Sequence, residues 1–126
     1  MVAGFVRYVW VLHCTWLVNS AAHLWGARPY DPKSNPAENF FVAIASIGEG
    51  WHNWHHKFPF DYAASEYGIL GGYWNPTKLF IDAFATFGLV TNRKTATEMW
   101  KREKQRRRDA MPTAHVSPKR NAAKAA

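Results

Sequence analysis

The first apolar segment, residues 5–22 (FVRYVWVLHCTWLVNSAA), is nearly continuous, and Arg7, His13, Thr15 and Asn19 interrupt it. Its length approaches the roughly 20 residues of a membrane span. The polar interruptions suit a helix that turns them toward a protein interior better than one alone in lipid. A secretory leader is the rival reading, with Arg7 as its charged start and Ser20-Ala21-Ala22 as a small-residue cleavage site. His13 and two tryptophans inside the supposed apolar region argue against it. Residues 27–35 (ARPYDPKSN) are turn formers and predict a loop. Apolar positions Ala37, Phe40, Phe41, Ile44 and Ile47 then recur at helical spacing. Asn35 as cap, Pro36 at the first helical position and Glu38 three after the cap predict where that helix starts. Gly48 and Gly50 bracket Glu49 and predict a kink or close packing, after which helix resumes and ends before Pro59, so the element covers 36–56. Residues 57–74 predict mostly loop, and Asn75-Pro76 opens a helix over 76–89. That helix carries Phe80, Phe84 and Phe87 on one side, with Lys78 and Asp82 toward water. Thr95 and Glu98 form a capping box for a last helix, about 96–109, and the chain after Pro112 is expected to be disordered. The expected class is all-α.

The formal charge of +7 changes this picture little, because it is unevenly spread. Residues 93–126 hold eleven Lys/Arg against three acidic residues, while residues 1–92 hold five against six. The basic character therefore belongs to the last helix (KREKQRRR) and the tail. A solvated face is the ordinary reading of such a run, and attraction to anionic lipid headgroups the alternative. No nucleic-acid recognition motif accompanies it, so no nucleic-acid partner is expected. The single cysteine, Cys14, excludes an intrachain disulfide framework and Cys-rich zinc modules. At 126 residues with 48% apolar and 16% aromatic content, the chain is one folded unit, and a tight fit for a complete enzyme.

The histidines carry the chemistry. Five of six lie between residues 13 and 56, three of them in GEGWHNWHH. On a helix His52, His55 and His56 fall within an arc of about 100°. Their imidazoles can address one point, and Glu49, one turn earlier, can accept the second ring N–H of a ligating histidine. The first helix has a matching polar seam: Thr15, Asn19 and His23 at i, i+4, i+8, with Trp16 three before Asn19. Imidazole suits both zinc and iron, and spacing leaves the choice open. His13 and His115 are expected to be structural or surface residues.

The stretches TWLVNSAAHLWGARPYD and NPAENFFVAIASIGEGWHNWHHKFPFDYAASEY closely resemble the C-terminal part of the membrane-bound acyl-CoA Δ9 desaturases, the stearoyl-CoA desaturase family. The resemblance runs from about residue 5 to residue 95, and the long motif GEGxHNxHHxFPxDY is specific. It implies an all-α, membrane-embedded fold present in part: one transmembrane helix over 5–23 plus cytosolic helices, with residues 1–95 in the desaturase domain and 96–126 as a basic helix and tail. The implied enzyme sits in the endoplasmic reticulum membrane with its C-terminus cytosolic. It inserts a cis double bond at the Δ9 position of a saturated acyl-CoA, using dioxygen, two iron ions held by nine histidines, and electrons delivered by cytochrome b5. By motif, His23, His52, His55 and His56 are implied iron ligands, and Asn19 a ligand through water. Trp16 and Thr15 are implied to line the acyl tunnel. An unactivated methylene offers no acidic proton and no leaving group, so the oxidising chemistry belongs to metal and dioxygen.

The family's earlier histidine boxes and first three spans have no counterpart in these 126 residues. The resemblance therefore implies a fragment, a truncated gene model or a degenerate paralogue. Four of nine ligands should not assemble two irons alone, so the isolated chain is expected to lack desaturase activity. The alternatives are an inactive paralogue acting as a non-catalytic membrane or metal-binding protein, and a small soluble zinc protein.

Overall fold

The computed structural model describes residues 1–111. The expectation of a disordered tail after Pro112, and the reading of His115, fall outside the described residues. Helices dominate the described residues: α1 Val2–Asn19, α2 Ala21–Leu24, α3 Phe40–Ala45, α4 His52–Lys57, α5 Pro76–Thr86 and α6 Thr97–Asp109, with a 3-10 turn at Ile69–Gly71. Among the described residues, extended pairing is limited to isolated antiparallel bridges, Ala27 with Glu38 and Glu38 with Trp51.

Helix α1 packs on α2 and α3 but buries none of its own residues, leaving Phe5, Tyr8, Trp10, Val11 and Trp16 exposed. Among the described residues no helix is long and apolar enough to cross a membrane, so the expected span over 5–23 is not a property of α1 by itself. Three successive polar side chains near its end turn back on their own helix. Thr15 Oγ1 donates to the Val11 carbonyl (3.0 Å), Asn19 Nδ2 to that of Thr15 (2.8 Å) and Ser20 Oγ to that of Trp16 (2.6 Å). Such back-bonding competes with the helix ladder. The chain leaves α1 at Ser20 and starts again as α2, so His23 is not carried by α1.

The expected single helix over 36–56 is two short helices. Asn39, not Asn35, is the cap of α3, its side chain accepting from Val42 N. Residues 36–38 are instead drawn into backbone pairing: Ala37 N donates to Ala22 O (2.6 Å), and Glu38 exchanges hydrogen bonds with Ala27 (2.7 and 3.2 Å). Between α3 and α4 the backbone turns through left-handed conformations at Ile47 (φ 59°) and Gly48 (φ 112°). Gly50 then passes so close to α3 that a Cβ there would lie 2.2 Å from Ala43 N and Asn39 O. The two glycines thus mark a reversal, with the close packing expected of them at Gly50.

Helix α5 begins as predicted. Buried Asn75 accepts from Lys78 N (2.9 Å) and donates to Ala63 O (2.7 Å) and Ser65 Oγ (2.9 Å). It stops at Thr86, short of 89, because Gly88 (φ 74°) takes up the left-handed terminating position. Lys78 and Asp82 pair with each other (2.5 Å), and Tyr62 and Arg93 join the same carboxylate (2.6 and 2.5 Å). At α6 the expected capping box does not form. Ala96 holds the cap position, Asp61 Oδ2 accepts from Ala96 N (2.8 Å), and Glu98 pairs with Lys101 (2.7 Å).

The core is aromatic. Tyr30, Trp54, Phe58 and Trp100 cluster with Ala96, the Tyr30 ring standing 4.8 Å from Trp54 and 5.2 Å from Trp100. Trp100 anchors the otherwise basic α6, and Trp54 comes from the histidine-bearing α4. Glu66 ties the same assembly at its rim, accepting from Tyr30 Oη (3.0 Å) and Lys104 Nζ (2.7 Å). These contacts fix α4 against the body and aim its other face at α2.

Candidate metal centre

Helix α4 is little more than one turn long and carries three histidines. Its Trp54 side is buried in the aromatic core, which directs His52 and His56 to the opposite side. There they meet His23 from α2. His52 Nε2 lies 3.0 Å from His23 Nε2 and 3.1 Å from His56 Nε2. One ring nitrogen from each of the three falls within 4.8 Å of the others. His52 is buried and His56 exposed, so the cluster opens to one side.

Electrostatics disfavour the charged form of His52 and His56. Burial first, and then the neighbouring His56, His23 and His55, push the His52 pKa down to about 4. Burial also lowers His56, with His55 and His23 adding to it. At neutral pH His52 therefore presents a free lone pair, the form that binds metal. Two nitrogens bound to one ion at about 2.0–2.1 Å stand roughly 2.8–3.4 Å apart for right-angled to tetrahedral geometry. The His52–His23 and His52–His56 spacings of 3.0 and 3.1 Å fit that requirement, and the three donors together lie within 4.8 Å. An all-imidazole set brings no compensating negative charge, and it suits a divalent transition metal.

The remaining site expectations have mixed positions. His55 lies beside the cluster, its ring 5.8 Å from His52 and 5.7 Å from His56. Its Nδ1 is buried without a partner, while the convergent set consists of His23, His52 and His56. Asn19 is exposed at the end of α1 and engaged with Thr15 O. Trp16 is exposed and packs edge-on against His13 (5.7 Å). Thr15 and Glu49 line one cleft of about 240 Å³ between α1 and the turn after α3, with Trp10, Val11, Cys14 and Val18. Glu49 is exposed, and no hydrogen bond of the described residues joins it to a histidine. The buried carboxylate near α4 is Glu38. Its Oε1 accepts from Trp54 N (2.8 Å), Oε2 has no partner, and burial pushes its pKa up to about 7. Sequence reasoning assigned Glu38 to a helix start, and it gave no role to Asn53 or Arg28. Asn53 could have been noticed as an amide set among three histidines on the face turned away from them.

No protein-family model matches the chain. Individual relatives do. Human stearoyl-CoA desaturase 5 is 53% identical over 96 residues, 76% of this chain and 28% of its own length. The acyl-CoA Delta-9 desaturase of Acheta domesticus is 56% identical over 95 residues, covering 75% of this chain and 26% of the relative. The Delta(9)-fatty-acid desaturase fat-6 of Caenorhabditis elegans is 51% identical over 96 residues, 76% and 27% respectively. Over this stretch the chain belongs to the acyl-CoA Δ9 desaturase family. It spans about a quarter of the length of the desaturases it matches. The desaturase motif GEGxHNxHHxFPxDY and the polar seam ending at His23 are the two segments whose imidazoles meet.

Proposed function

We propose that this chain provides the C-terminal ligand set of a fatty acyl-CoA Δ9 desaturase, an oxidoreductase acting on saturated acyl-CoA with dioxygen and two iron ions. The observation that carries the reading is the convergence of His23, His52 and His56 from two segments far apart in sequence. Iron with dioxygen supplies the oxidising power that an unactivated methylene requires. What the chain's own residues contribute is narrower. His23, His52 and His56 offer converging ring nitrogens, and His55 stands beside them as a fourth donor. Asn19 is proposed to reach the centre through water, and Trp16 and Thr15 to border the acyl chain. Glu49 is proposed to orient a ligand ring once its side chain turns from the cleft it now lines.

The reading extends to the setting. The exposed apolar side chains of α1 require a cover, for which the lipid of an endoplasmic reticulum membrane and neighbouring helices are proposed. The basic α6 would lie on the cytosolic side, with cytochrome b5 as electron donor. A second reading is a non-catalytic metal-binding remnant, for which the convergence of His23, His52 and His56 alone suffices.

A chimera separates the two. The matched 96 residues of human stearoyl-CoA desaturase 5 are replaced by those of this chain. The chimera is then assayed for iron content and for oleoyl-CoA formation from stearoyl-CoA with its redox partners. Activity that disappears on His52→Ala is expected. A folded, iron-loaded chimera without activity would overturn the catalytic reading in favour of the remnant.

A further inference from the structure

The imidazoles of α2 and α4 meet, yet the chain between the two helices, a loop followed by α3, carries none of them. Residues 28–38 run between the histidine segments and bond to both. At one edge Arg28 Nη2 donates to the His23 carbonyl (3.0 Å) and to that of Asn35 (2.8 Å), with Nε also on Asn35 O (3.1 Å). Beside it Ala37 N donates to Ala22 O (2.6 Å). At the other edge stands Asn53, fully buried between His52 and His55 in sequence. Its Oδ1 accepts from Tyr30 N (2.9 Å) and Asp31 N (3.1 Å). Its Nδ2 donates to Asp31 O (3.1 Å), Ser34 Oγ (2.9 Å) and Pro36 O (2.9 Å). Every donor and acceptor of that amide is spent on the loop, and none on a histidine.

We propose that Arg28 and Asn53 are positioning residues: through the loop 28–38 they lock the His23 backbone to the α4 backbone and so set the spacing of the ring nitrogens. The inference rests on the metal-centre reading for its purpose, although the bracket itself is made only of protein groups. A planar guanidinium suits position 28 because Nη2 reaches carbonyls of two segments while Nε adds a second bond to Asn35 O, which fixes the plane, whereas an ammonium on a freely rotating stem keeps donors but no plane. An amide is needed at 53 because the loop presents backbone donors and acceptors together, and a carboxylate would face the Asp31 and Pro36 carbonyls without a proton. Outer partners of metal ligands are typically worth about 10–100-fold in metal affinity.

The test uses the 126-residue chain with two independent readouts. The first is metal-free: the nuclear Overhauser contact between the ring protons of His23 and His52, whose centroids lie 4.9 Å apart. The second is cobalt(II) titration followed by visible absorption. Arg28→Gln and Asn53→Ala are expected to lose the ring contact and at least about tenfold in cobalt affinity. Arg28→Lys should recover part of each. Asp82→Ala on α5, which removes the shared partner of Tyr62, Lys78 and Arg93 and no hydrogen bond to residues 28–38, compared at equal loss of stability against urea, should keep both. If Asn53→Ala does not fold, Arg28→Gln at the half-buried edge carries the comparison. Persistence of the ring contact in folded Arg28→Gln, or unchanged cobalt affinity despite its loss, overturns the positioning role. A wild-type chain that shows the ring contact and binds no cobalt overturns the metal reading instead, and the bracket is then judged on the ring contact alone.

Discussion

His23 Nε2 and His52 Nε2 lie 3.0 Å apart although twenty-nine positions separate them in the chain. Two imidazoles gain little from facing each other at that range, and burial of His52 costs it its proton, driving its pKa down to about 4. An arrangement that spends stability in this way is typical of a site with a ligand to hold. The bracket of backbone and amide hydrogen bonds around residues 28–38 holds the arrangement in place.

Glu38 gives a pH dependence opposite to that of an ordinary ion-paired carboxylate. Its pKa rises from 4.5 in the unfolded chain to about 7 when folded, because burial disfavours its charge. The folded state then binds the extra proton between those values, so the stabilisation is complete below about pH 4.5 and is lost as pH climbs to about 7. A shift of that size is worth about 3 kcal/mol. Glu38→Gln should therefore match wild type below pH 4.5 and exceed it in urea-unfolding stability above pH 7. A difference independent of pH would contradict the assignment.

Gly50 is predicted to be irreplaceable, and Gly4 free. Alanine at 50 would place its Cβ 2.2 Å from the backbone of Asn39 and Ala43, which forces α3 away from the turn before α4. That separation also strains the Asn39 N to Gly50 O bond (2.8 Å). Gly4 has nothing within 4 Å, so Gly4→Ala should stabilise α1 by about 0.5–1 kcal/mol. Thermal melts by circular dichroism read both: a large drop or no folding for Gly50→Ala, and a small rise for Gly4→Ala.

Trp100 is predicted to hold α6 onto the body. Truncation to alanine empties the centre of the Tyr30, Trp54 and Phe58 cluster and should cost about 3–5 kcal/mol. Trp100→Phe should cost much less, since the buried indole N–H has no partner to lose. Urea titration compares them, and equal losses would show that α6 does not depend on ring packing.

Much of this was legible in the residues. The arc of His52, His55 and His56 follows from helical spacing alone, and the Asn75-Pro76 start of α5 from capping chemistry. The failures share a cause: a distant group took over a local role. Thr95 looked like the cap of α6, but Asp61, thirty-four positions earlier, accepts the Ala96 N–H. Asn35 looked like the cap of α3, but residues 36–38 are drawn into pairing with Ala22 and Ala27. The seam Thr15, Asn19, His23 assumed one unbroken helix, and the break at Ser20 moved His23 onto α2. Glu49 was placed by counting one turn back from His52, across a reversal at Ile47 and Gly48 that no helical wheel contains. Arg28 and Asn53 act through backbone atoms, which side-chain patterns do not display.

Iron K-edge absorption fine structure on the iron(II)-loaded chain tests the central claim most directly, because it counts imidazole nitrogens at the metal. The account predicts a histidine shell that loses one imidazole in His23→Ala and one in His52→Ala, with no change in His13→Ala. A shell unaltered by removing His23 would contradict it, since the two segments would then not share an ion.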